Sequence, residues 1–255
     1  MLSRLKSLLS DSHAHTASDP VGAEQQDGPF ESRDSRGRLR FRGNAKDGRL
    51  DGLQEWFHEN GQPRERQQYE QGRKNGPWEL FHENGQLRST GRFVDGRRDG
   101  PFEVYYPDGQ LRSRGTHRND RRDGSYEAYH ANGQLQCRGS FENGNRDGPW
   151  EEFHPNGELA MRGVYSNGRR NGLFERFFAN GQLEFRGTYE GGKQHGPFEE
   201  YYETGQLKAK GTYNNGKKDG PYESYDEDGR LKTRGVFREG APQGAFEVYK
   251  DGVRQ

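Results

Sequence analysis

Glycine returns every 24 residues, at Gly28, Gly52, Gly76 and onward to Gly244, with no insertion or deletion in between. That strict phase constrains the fold more than any other feature. A unit so short cannot enclose a core alone, so it must bury its apolar face against neighbouring copies. The units begin at Asp27, Asp51, Asn75, Asp99, Asp123, Asp147, Asn171, His195, Asp219 and Gln243, giving nine full units and a truncated tenth.

Comparing the units shows which positions the repeat holds constant. The fifth is Glu throughout, from Glu31 to Glu247. The fourth is aromatic except at Gln54, and the seventh is aromatic except at Arg33. In the nine full units Leu holds the thirteenth except at Pro63, a cation holds the sixteenth except at Thr90, and Gly holds the seventeenth except at Gln67. Each unit carries two glycine-containing turns, such as Glu83-Asn84-Gly85 and Asp95-Gly96-Arg97-Arg98. Asn-Gly and Asp-Gly between aromatic runs are strong hairpin signals, because both residues tolerate positive φ. Helix is excluded where Gly recurs every few residues, since each would cost about 1 kcal/mol. The spacing predicts an all-β fold: an elongated antiparallel sheet of two-stranded units, each adding about 10 Å, for a strip of about 90–95 Å.

Composition supports a folded chain without a thick core. Hydrophobic residues are 27% and charged residues 31%, values typical of chains that bury too little to fold. Against that, the formal net charge is 0 and aromatics reach 12%. No run approaches the roughly 20 apolar residues of a membrane-spanning helix.

If Asn84-Gly85 is a two-residue loop, Glu79 faces Thr90, Trp78 faces Gly91 and His82 faces Leu87. Positions four, eight, thirteen, fifteen, seventeen and nineteen then share an apolar face, and Glu, the second aromatic and Arg share the other. The competing register places a bulged Gly after a type I turn, as Pro107-Asp108-Gly109 suggests, and moves Leu to the Glu face. The first register is preferred because it separates polar from apolar residues more cleanly.

Residues 27–255 form the repeat domain in this reading, and residues 1–26 break the period. Leu2, Leu5, Leu8 and Leu9 space along one side of a short helix, followed by a linker; the apolar stretch is too short for a signal peptide. The expected location is cytoplasmic, with peripheral membrane association as an alternative.

The stretch from Gly211 through Lys217-Lys218-Asp219-Gly220-Pro221-Tyr222, followed by the Glu227-Asp228-Gly229-Arg230-Leu231 turn, resembles the MORN repeat, and more closely its bacterial variant. The resemblance covers residues 27–255. It implies a hairpin-repeat sheet that acts by binding, and the variant includes YwqK-type antitoxins, so a toxin-neutralising or immunity role is one implication. Other MORN proteins are linked to membrane attachment and scaffolding. The resemblance brings no catalytic residue.

Two surfaces stand out as candidate sites. The longer turns carry a basic ladder, Arg73-Lys74, Arg97-Arg98, Arg121-Arg122, Arg169-Arg170 and Lys217-Lys218, while the opposite turns lean acidic at Glu59, Glu83, Asp108 and Glu203. The ladder suits an anionic partner, or it simply keeps a single-layer sheet soluble. The aromatic positions Trp78, Tyr105, Tyr129, Trp150, Phe177 and Tyr201 suit protein binding, or they serve as the ladder between units. His58, His82, His130 and His154 recur at the eighth position, at least one unit apart, too far to share one tetrahedral ion. Cys137 is alone, which excludes an internal disulfide. No paired-carboxylate, nucleophile–base, phosphate-loop or zinc pattern is present. The expected function is non-enzymatic protein binding without cofactor, metal or small-molecule substrate. A toxin is one candidate partner, and nucleic acid is disfavoured. The alternative is a membrane or envelope scaffold that meets anionic lipid through the basic ladder.

Overall fold

The computed structural model describes residues 26–250 and 253–255. The expectations for residues 1–26 therefore fall outside it, apart from Gln26. The described chain is all-β: an open antiparallel sheet of 23 strands in which successive strands pair with their neighbours in sequence. A representative unit pairs Arg121–Tyr129 with Leu135–Glu142, and the latter pairs with Asn145–Phe153 of the next unit.

Both registers weighed from the sequence are used, in different parts of each hairpin. In the strand bodies Trp78 faces Gly91, Glu79 faces Thr90 and Leu80 faces Ser89. Next to the turn the pairing shifts by one, so that Phe81 faces Leu87. The loop is closed by His82 N–H to Gln86 O at 2.8 Å and Gly85 N–H to His82 O at 2.9 Å, with Gly85 at φ +82°. This is a type I turn with a bulged Gly, stabilised by Asn84 Oδ1 accepting from Gln86 N–H at 3.0 Å. The preferred register is thus corrected near the turn. Leu at position thirteen shares the face of the Glu and the second aromatic, because the type I turn needs its bulge and an irregularity at Arg88 then restores the body register.

A second irregularity explains the invariant Gly at position two. Between units, Gly115 faces Tyr126 and His117 faces Arg122, so Asp123, Gly124 and Ser125 stand opposite Thr116 alone. Thr116 Oγ1 donates to Asp123 O across this bulge, and Gly124 adopts φ +103°, a conformation that side chains resist.

One face of the sheet is packed. Positions four, six, fifteen, seventeen and nineteen point to it: Trp150 is 2% exposed and Phe174 1%, with Tyr126, Ala128, Cys137, Phe141, Met161 and Tyr165 also buried. Rings from adjacent strands meet edge to face, Phe141–Trp150 at 5.4 Å and Phe174–Tyr189 at 5.4 Å, and cover the bare backbone of the facing glycines. The exceptions at Gln54 and Gln67 prove to be cross-strand partners. In that unit the aromatic has moved two residues along the same face, to Trp56, which packs against Phe41 at 5.1 Å. In this unit, whose own position four lacks a ring, Gln67 replaces Gly although its other neighbour is Trp78 of the next unit.

Candidate functional site

The opposite face carries charge in a regular order. Across it, position five of each unit alternates with position sixteen, giving Glu127, Arg138, Glu151, Arg162, Glu175, Arg186 and Glu199 on successive strands. Glu175 sits between Arg162 and Arg186, with its Oε1 2.9 Å from Arg186 Nε. Burial pulls the Glu175 carboxyl upward, and the two guanidinium hydrogen bonds outweigh it, so it stays ionised below the usual range. Hydrogen bonds from Tyr225 and Lys210, and one from Arg234, hold Glu223 down at about 2 against the opposing effect of burial. Among the described residues, nine of the ten position-five carboxylates form an ion pair; Glu103 does not, because Thr90 stands where the preceding unit would place a cation.

Beside this charged row runs a second one, built from positions three and eighteen. It is more apolar and largely exposed, with Leu173 at 50%, Leu53 at 50%, Val236 at 47% and Val164 at 41%. Between residues 173 and 223 the two rows enclose a groove of about 540 Å³ lined by Leu173, Thr188, Pro197, Thr212 and Pro221 and flanked by Arg186, Glu199, Lys210 and Glu223. Position three is Pro in six of the ten units, a signal visible in the sequence. It did not suggest a surface because its neighbour at position eighteen is set only by the strand pairing.

The basic ladder divides in two. The first member of each pair, Arg73, Arg97, Arg121, Arg169 or Lys217, is exposed, while Lys74, Arg98, Arg122, Arg170 and Lys218 are half-buried. Arg122 lies 4.9 Å above the Tyr126 ring, Arg170 4.2 Å above Phe174 and Lys218 4.1 Å above Tyr222. These cations cap the packed face, each contributing on the order of 0.5–2 kcal/mol. Arg98 instead donates from Nε to Asp120 Oδ1 at 3.3 Å.

The six aromatic candidates fall on both faces. Trp150 is enclosed, and its Nε1 donates to Glu152 Oε1 at 3.0 Å. Trp78, half-buried, is also on the packed face. Tyr105, Tyr129, Phe177 and Tyr201 lie half-buried on the charged face, and three of these hydroxyls donate to the neighbouring glutamates, Tyr129 to Glu127 and Tyr201 to Glu199 at 2.8 Å, and Tyr105 to Glu103.

The recurring histidines have a structural partner. His82 Nε2 lies 3.2 Å from Tyr105 O, and His154 Nε2 lies 2.8 Å from Phe177 O, in each case the next unit's carbonyl. A carbonyl only accepts, so Nε2 carries the proton. Tyr106 and Tyr202 occupy the same position and donate to the equivalent carbonyls, which shows that the position is a tether between turns. Among the described residues no three His, Cys, Asp or Glu side chains are placed to hold a metal ion. Burial, reinforced by Glu152, pushes the Cys137 thiol up to about 12.

His117 occupies a packed-face position that the other full units give to Phe or Tyr, except for Ala45, and its ring lies 4.3 Å from Phe102. Burial, then Arg98 and Arg122, lower its pKa to about 4. The unfolded chain therefore gains a proton near pH 6.5 and the native state only near pH 4. Stability should be full above pH 6.5 and decline as pH falls through that window, by at most about 1.4 kcal/mol per pH unit, less what partial exposure relieves. His117→Phe should shrink the difference in denaturant midpoint between pH 7.5 and pH 5. An unchanged difference would refute the assignment.

The family follows from the repeat. The model of the MORN repeat variant matches residues 50–71, 74–95, 98–119, 122–143, 146–167, 170–190 and 194–215, windows that start every 24 residues and together cover more than half of the chain. The chain belongs to the MORN repeat variant family. Among solved structures, this MORN-variant chain is similar to one described as TcdB2-TccC3, at 12% identity and TM-score 0.20, over 84% of this chain and 15% of that one. A second, TcdB2-TccC3-Cdc42, matches at 12% identity and TM-score 0.22 over 87% of this chain and 14% of that one. The chain thus spans about one seventh of the length of these structures. No curated protein matches it. MORN repeats generally serve as non-enzymatic binding modules for proteins or membranes, and the grooved, charge-ordered face of this sheet is consistent with such a scaffold.

Proposed function

We propose that this MORN-variant strip is a non-enzymatic protein-binding module whose partner docks on the charged face over residues 173–223. The observation that carries the reading is the groove of about 540 Å³, whose apolar floor is flanked by cations and carboxylates in alternation. Apolar contact in a concave site gives affinity, and alternating charges at strand spacing reward a partner of matching pattern over a uniformly charged one. An extended anionic surface is served less well. Half of most basic pairs is turned over the rings, which leaves one exposed cation per turn in most units. In its finer form the reading makes the partner a toxic protein that the strip neutralises, in line with the resemblance to antitoxin-bearing members of the variant.

The test is capture by affinity purification at physiological salt. The wild-type chain is expected to recover one stoichiometric protein. Leu173→Glu, at a half-exposed position, should lose it while keeping the thermal midpoint. Growth arrest by the recovered protein alone, relieved by co-expression of the strip, supports the neutralising role. Salt-sensitive sedimentation with anionic liposomes, lost on replacing Arg97 and Arg121, would favour the scaffold reading instead.

A further inference from the structure

Glu103 is the ladder carboxylate without a cation, and the rest of the sheet shows what would fill its place. In five other units the cation at position sixteen sits on the following unit's Glu and over that unit's second aromatic ring. Arg42 does so with Glu55 and Phe57, Arg138 with Glu151 and Phe153, and Lys210 with Glu223 and Tyr225. A guanidinium there also reaches the Glu of its own unit. Arg66 spans Glu55 at 3.1 Å and Glu79 at 3.5 Å, with Phe81 5.2 Å from its guanidinium carbon.

At Thr90 all three receptor groups are kept and the cation is missing. Glu79 and Glu103 are the cross-strand neighbours of Thr90 on either side, and Tyr105 follows Glu103 on the same face. Thr90 is short and donates its hydroxyl to Trp78 O at 3.1 Å, so it does not occupy the space. The surrounding cations are engaged or turned away. Arg66 is shared with Glu55, Arg114 holds Glu127 at 2.7 Å, and Arg92, two residues along the strand, makes no ion pair with either carboxylate. The Tyr105 hydroxyl turns back onto Glu103, and that hydrogen bond raises its pKa to about 12, with burial and the carboxylate's charge adding to it.

We propose that the notch formed by Glu79, Thr90, Glu103 and Tyr105 receives an arginine side chain from a protein partner. Arginine fits better than lysine, because a planar fork can bridge two carboxylates and lie against a ring, as Arg66 does. The proposal rests on the reading that the charged face is the protein-binding face, and it adds an anchor about three units before the groove.

The experiment titrates N-acetyl-L-arginine amide, and its neutral counterpart N-acetyl-L-citrulline amide, into protein carrying ring-labelled tyrosine, with Tyr105 assigned from Tyr105→Phe. The arginine probe should move the Tyr105 signal saturably in the millimolar range, and citrulline should bind at least about tenfold more weakly. Thr90→Arg completes the ladder internally. It should abolish the probe's effect, raise the thermal midpoint, and, used as bait, release the captured partner. Glu103→Gln should also lose the probe, which keeps the test open should Thr90→Arg fold poorly. A Tyr105 signal that does not saturate, that responds equally to citrulline, or that still responds in Thr90→Arg would overturn the proposal, as would a Thr90→Arg bait that retains the partner. A probe response at Tyr105 with Leu173→Glu still capturing the partner would leave the notch standing and remove the groove.

Discussion

Trp150→Ala is expected to cost about 3–5 kcal/mol, the range for deleting a large buried aromatic. Trp150 is 2% exposed, its ring is met by Phe141 at 5.4 Å and Tyr165 at 6.4 Å, and Arg146 lies 4.0 Å above it. Beneath it lies Gly139, whose backbone the ring shields. Alanine would leave this stretch of strand bare, and Glu152 would keep only Arg146, at 3.2 Å. In a stacked array each unit relies on its neighbours, so loss at this joint should also uncouple the units on either side. Denaturant unfolding should then lose its single sharp transition or shift to a markedly lower midpoint. Tyr201→Ala, on the charged face, provides the contrast at about 1–2 kcal/mol. If Trp150→Ala costs less than Tyr201→Ala, the account of the packed face is wrong. A binding defect in Trp150→Ala should accompany lost structure, whereas a defect in Leu173→Glu should not.

Two glycines equally regular in the sequence should respond very differently to alanine. At Gly163 a Cβ would lie 2.2 Å from Phe174 Cδ2 and 2.6 Å from Cε2, and Phe174 is 1% exposed beneath Arg170. The ring cannot stay, so Gly163→Ala should cost about 3 kcal/mol or more, comparable to losing the aromatic itself. At Gly172 a Cβ meets nothing within 4 Å, and only its φ of +87° opposes the substitution. Gly172→Ala should therefore cost about 1–2 kcal/mol, the strain of a side chain in that region. Thermal or denaturant midpoints of the two variants settle the order, and equal losses would contradict it.

Much of this was legible in advance. The 24-residue phase, the hairpin turns and the pairing of Trp78 with Gly91 or Glu79 with Thr90 follow from residue spacing, because side chains alternate across a strand and turns need glycine at set places. The exceptions were legible too, but not their meaning. Gln54 and Gln67 became a pair, and Trp56 the displaced aromatic, only once the strands were set side by side. Thr90 became a gap only when Glu79 and Glu103 were seen flanking it.

The chain's order of residues was enough to dictate a sheet of stacked two-stranded units, since that periodicity has no other way to bury its rings. It was not enough to say where each charged or aromatic group would end up. The bulge at each turn displaces the pairing by one residue, which sends a side chain to the other face, and the bulge between units sets three residues against one. That is why Leu joined the glutamates, while only the pairing of neighbouring strands laid one member of most basic pairs over rings and set positions three and eighteen side by side along the groove over residues 173–223.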